Sequence, residues 1–135
     1  MLAQPESYAR PVSTDAEEGP PPLWIGHVGM TVADPARSHD YYVGLGMRSV
    51  HRGDDFAITE LRGGTHLIFN PGEPEPGDAP FDLMVEDLPA MHARFAQAGL
   101  DVSEIIPGEI HDVFVLEDPD KQRVVVFNSH VIGTV

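Results

Sequence analysis

The sequence predicts an α+β fold built from two βαβββ modules in tandem, and three observations carry that reading. An alternating apolar stretch, His27-Val28-Gly29-Met30-Thr31-Val32, runs directly into a helix start at Ala33-Asp34-Pro35. The same plan returns at an offset of 53: Val32-Ala33-Asp34 falls on Val85-Glu86-Asp87, His39 on His92, Tyr42 on Phe95 and Gly46 on Gly99. A shared order of elements with no insertion between them is the mark of an internal repeat. After each helix, short β-rich runs are separated by glycine- and aspartate-rich turns. At 135 residues the chain has room for two half-size modules sharing one core.

Residues 1–22 are rich in Pro, Ser, Glu and Gly, end in Gly19-Pro20-Pro21-Pro22, and have no periodicity that could bury a face. They read as a disordered leader. Order is expected from Leu23-Trp24, with Trp24 packed, and the first module covers residues 23–70. In its first strand Val28, Met30 and Val32 share one face and His27, Gly29 and Thr31 the other. The first face can bury itself against a helix, while the second is small and polar, as a cavity lining would be. Asp34 caps a helix with Pro35 at its first position, an arrangement that satisfies one orphan N–H and pre-sets φ. That helix should run to about Val43 and stop at Gly44-Leu45-Gly46, followed by strands around 48–52, 56–61 and 65–70. The connections Gly53-Asp54-Asp55 and Arg62-Gly63-Gly64 suit hairpins.

Residues 71–80 carry prolines and no large apolar side chain, and read as a linker. In the second module, residues 81–135, Phe81, Leu83 and Val85 alternate with Asp82, Met84 and Glu86. Asp87 then caps a helix whose Leu88, Met91, Phe95 and Ala98 recur at helical spacing, and Gly99 ends it. Strands are expected around 101–106, 112–116 and 123–128, with Glu117-Asp118-Pro119-Asp120 as the last turn.

With 22 acidic against 8 basic residues the net charge is −14, which argues against nucleic acid or an anionic membrane as partner and favours a cationic ligand. Zero cysteines exclude disulfides and thiolate metal sites. No run approaches the roughly 18 apolar residues of a membrane span, and no basic start precedes an apolar block, so a cytoplasmic protein is expected.

The stretches HVGMTVADPARSHDYYVGLGM and FDLMVEDLPAMHARFAQAGL, with the late DPDKQRVVVF, resemble the glyoxalase / bleomycin-resistance / extradiol-dioxygenase group, the vicinal oxygen chelate superfamily. The resemblance spans about residues 24–130. It implies that each module curls into a half-barrel, that two half-barrels enclose a ligand cavity, and that the chain forms a homodimer. In metal-dependent members the ligands sit on the first and last strands of each half. Those positions fall here on His27 and His66 in the first half, and on Pro80 and Val125 in the second, which cannot ligate through their side chains. Lys121 stands where the turn usually has glycine. A catalytic divalent site needs about three protein ligands. The one further donor the strand pattern offers is Asp82, two residues past Pro80 and on the same face of its strand.

Two principal readings follow from that resemblance. One is a metal-free protein that binds or sequesters a small apolar or cationic molecule, with Thr31, Ile68, Asn70 and Met84 lining the pocket and His27 and His66 as polar anchors. The other is a lyase, isomerase or dioxygenase dependent on one divalent ion (Fe, Zn, Mn or Ni) held by His27, His66 and Asp82. A third reading, an accessory module whose leader docks on a partner, rests on the leader alone. His39 and His92 read as solvent-facing. His111, next to Asp112, is the candidate general base. The sequence gives no Ser-His-Asp signal, glycine-rich phosphate loop or dinucleotide fingerprint.

Overall fold

The computed structural model describes residues 19–135, so the expected leader lies outside the described residues over 1–18. Ile25–Ser129 form one unit. Residues 19–24 and 130–135 carry no helix or strand. Trp24 is 69% exposed, against the packing role expected of it.

Both helices start as their capping residues dictate. Asp34 accepts the N–H of Arg37 at 3.2 Å and opens helix α1, Pro35–Leu45. Asp87 accepts the N–H of Ala90 at 3.0 Å and opens helix α2, Leu88–Gln97. Each helix is closed by a glycine with positive φ, Gly46 at 125° and Gly99 at 80°, a conformation that a side chain would strain.

In the first module, strand β1 (His27–Val32) pairs in parallel with β4 (His66–Pro71), and β3 (Ala57–Glu60) and β2 (Arg48–His51) extend the sheet antiparallel, in the order β1-β4-β3-β2. The second sheet, β5-β7-β6, repeats this with β5 (Leu83–Val85), β7 (Arg123–Asn128) and β6 (Val113–Glu117). The strand expected around 101–106 is absent as a continuous element and survives as two bridges, Val102 to Leu116 and Ile106 to Val113. The register slips by one residue between them, and the Ser103 hydroxyl takes the N–H of Val115 at 2.9 Å. The sheets therefore have four and three strands, and neither closes into a barrel.

One core joins both modules. Met30, Val32, Leu67 and Phe69 face Tyr42 and Leu45 of α1, and Leu88, Phe95, Phe114, Leu116, Val124 and Val126 continue it. As the alternation predicts, Val28, Met30 and Val32 face the core and His27, Gly29 and Thr31 face away. His39, expected at the surface, is 4% exposed; it lies on the sheet side of α1 and bonds to β2. His92 is also turned inward, on the Ser103 carbonyl at 2.8 Å.

The final turn of the second module is bound to the first. Asp118 accepts the N–H groups of Asp120 and Gln122, both at 2.9 Å, and with its other oxygen accepts the hydroxyl of the fully buried Tyr42 at 2.8 Å. Asp120 accepts from the Ala33 N–H at 3.3 Å and from the Arg37 guanidinium at 3.1 Å. Lys121, at φ 63°, is the one non-glycine residue among those described with positive φ, which explains why glycine suits that position. Among the described residues no helix is long and apolar enough to cross a membrane.

Tyr42→Phe strands a buried acceptor and should cost about 1–2 kcal/mol, read from denaturant midpoints at pH 7. Burial, then the Asp118 charge, pushes the Tyr42 hydroxyl far above its ordinary 10.0. The unfolded chain therefore ionises first, and the stability present below pH 10 falls as pH rises beyond it. The Phe variant should lose less over that range. Lys121→Gly relieves a left-handed residue and should raise stability by about 0.5–1 kcal/mol in the same assay.

Candidate functional site

The pairing of the first sheet sets its outward face. His27 lies opposite His66, Gly29 opposite Ile68, and Thr31 opposite Asn70. In β3, Glu60 lies opposite His66 and Ile58 opposite Ile68, and Arg48 of β2 lies opposite Glu60. A polar row therefore crosses the sheet: His27, His66, Glu60, Arg48.

His27 and His66 have ring centroids 6.2 Å apart. The His66 Nε2–H donates to Glu60 Oε1 at 3.0 Å, and Arg48 donates to Glu60 Oε2 at 2.8 Å. An ionised carboxylate only accepts, so the proton of a neutral His66 sits on Nε2 and Nδ1 is left as an acceptor. With 79% of the Arg48 side chain exposed, the outer pair is screened and adds little to stability. Gly29 keeps the middle of the face open, since a Cβ there would meet nothing nearer than the Asn70 amide at 4.0 Å.

The C-terminal ends of β1 and β4 lead into a cavity of about 330 Å³ lined by Gly29, Thr31, Asn70, Glu75, Asp78 and Gln122. The Gln122 amide donates to the Glu75 carbonyl, and its buried Oε1 has no hydrogen-bond partner among the described residues. Asp78 pairs with Arg123 at 2.8 Å. Met30 and Pro80 complete the lining, so polar acceptors sit beside apolar surface.

The family model of the Glyoxalase/Bleomycin resistance protein/Dioxygenase superfamily matches residues 24–126. The chain belongs to this superfamily. No curated protein matches it. Among solved structures it is similar to a lactoylglutathione lyase from Agrobacterium tumefaciens, with 16% identity, a TM-score of 0.68, and 85% of this chain and 100% of that one covered. It is also similar to a glyoxalase-related enzyme from Clostridium phytofermentans (19% identity, TM-score 0.66, coverage 79% and 95%) and to the oxidase ChaP-H2 (17%, 0.66, 83% and 98%). Identities this low establish the glyoxalase fold alone.

Within that fold the second sheet is built differently from the first. Met84 is 46% exposed, on the face of β5 opposite the core residues Leu83 and Val85, and lies across from Phe127 of β7. His111 stacks on Phe127 at 4.4 Å, and the carboxylate of its neighbour Asp112 accepts the Gly108 N–H at 3.3 Å. Asp82 lines a second cavity, of about 480 Å³, with Arg123 and Val125. Among the described residues no three His, Cys, Asp or Glu side chains are grouped so as to hold a metal ion. His27 pairs with His66 in the first sheet, while Asp82 directly precedes β5 in the second.

Glu60 was missed in the sequence, although counting outward across the Arg62-Gly63-Gly64 loop places it opposite His66. Glu60→Ala should lower stability by only about 1 kcal/mol or less, because its guanidinium partner is solvated; thermal unfolding checks this.

Proposed function

We propose that this glyoxalase-superfamily chain binds and sequesters a small organic molecule carrying a basic group, using the outward face of its first sheet and the adjoining acceptor-rich cavity. The observation that carries the reading is that the polar row, His27-His66-Glu60-Arg48, shares one sheet face with Thr31 and Asn70, which line the cavity. Glu60 is already matched by His66 and Arg48. The row therefore offers oriented hydrogen-bonding groups, while Glu75 and the net charge of −14 favour a cationic partner. Ile68 and the open strip over Gly29 accept the apolar part of the ligand. Two open sheets per chain are consistent with a homodimer whose second copy closes the site, and the absence of cysteine is consistent with the cytoplasm.

A second reading, a divalent-metal-dependent lyase, isomerase or dioxygenase, is favoured by one observation, the direct pairing of His27 with His66. It requires a third donor from outside the set described. Elemental analysis after equilibration with Zn, Mn, Fe and Ni separates the two. The binding reading expects well under one ion per chain. A stoichiometric ion, lost in the His27→Ala, His66→Ala double variant, overturns it.

Thermal shifts with benzylamine, tryptamine and benzamidine, against benzoate as the anionic control, test the binding directly. The amines should raise the melting temperature and benzoate should not. Gly29→Val, which introduces a strand-favouring side chain into open space, should keep the fold and abolish that response.

A further inference from the structure

On the core side of the same sheet, away from the polar row, His39 is held between two groups at hydrogen-bonding distance. Its Nδ1 lies 2.8 Å from Asp40 Oδ1 and its Nε2 lies 2.7 Å from Ser49 Oγ. Arg52 clamps Asp40, Nε on one oxygen and Nη2 on the other, both at 2.9 Å. These Arg52 bonds, with the His39 bond, hold the Asp40 carboxyl far below the usual carboxylate range.

A carboxylate so held only accepts, so Nδ1–H donates to Asp40, Nε2 keeps its lone pair, and the Ser49 hydroxyl donates into it. His39 is 4% exposed, whereas Ser49 lies on β2, the outer strand of the sheet, and is open to solvent. The pairing with β3 slips just after Ser49 and leaves Val50 out of register.

A buried imidazole fixed by an ionised carboxylate and aimed at an accessible hydroxyl is the arrangement that activates a serine. We propose that Ser49, His39 and Asp40 form a nucleophilic triad that reacts with small activated carboxylic esters, such as aryl esters, and with phosphonyl electrophiles. Ser49 Oγ bonds to the ester carbonyl carbon as its proton passes to His39 Nε2. The ester C–O bond then breaks, and His39 returns the proton to the departing alcohol or phenol. Water enters by the reverse sequence, releasing the acid and restoring Ser49. Asp40 touches no reacting atom and acts as a positioning residue for His39. This site is separate from the ligand face and does not rest on its reading.

The test uses the full chain and a fluorophosphonate ester. Ser49 Oγ forms the O–P bond, the P–F bond breaks, fluoride leaves, and the serine proton goes to His39. Peptide mass mapping should find one phosphonyl group on Ser49, and none in Ser49→Ala, checked by circular dichroism to be folded. Asp40→Asn, checked by circular dichroism to be folded, should label at least about tenfold more slowly. The proposal is overturned if Ser49 is unlabelled, if it labels no faster than in the urea-denatured chain, or if Asp40→Asn labels at the parent rate.

Discussion

The hydrogen bond from the buried Tyr42 hydroxyl to Asp118 is the constraint on which the rest depends. A carboxylate taken out of water must have its oxygens filled, and Asp118 fills them with two N–H groups of its own turn and one hydroxyl from the other module. The turn therefore cannot form its full set of bonds until the first helix is in place. Tyr42 reaches that point by stacking on Phe69 of β4 and meeting Phe81 edge-on, so the same ring joins helix, first sheet and second module. With the sheets fixed in this way, the outward face of β1 and β4 and the cavity beside Gln122 follow as consequences of strand register.

The two modules share a plan and differ in what their outward faces carry. In the first, the row of His27, His66, Glu60 and Arg48 is polar and internally paired. In the second, the corresponding strands present Met84, Val125 and Phe127, with His111 laid over Phe127. The modules share the capping aspartates and closing glycines, which the backbone demands, and differ in their outward residues.

Much of the fold was legible because capping and alternation are local. Asp34 and Asp87, the glycines at 46 and 99, and the inward-facing run Val28, Met30, Val32 all follow from residues within a few positions of one another. The lost strand at 101–106 was not legible, because it depends on a one-residue slip and on Ser103 replacing a ladder bond. Within the site, His27 and His66 followed from the family resemblance, whereas the role of Glu60 requires counting across a hairpin. His39 was misread because its neighbours on the helix face gave no sign that Asp40 and Ser49 would satisfy both ring nitrogens.

Residue-resolved amide shift mapping tests most directly whether a ligand docks on the outward face of the first sheet. Titrating the folded chain with tryptamine should perturb the amides of Gly29, Thr31, His66, Ile68 and Asn70 along one saturable curve, with β6 and β7 little changed. Perturbations confined to the second sheet, or none on the first at saturating amine, would contradict the account.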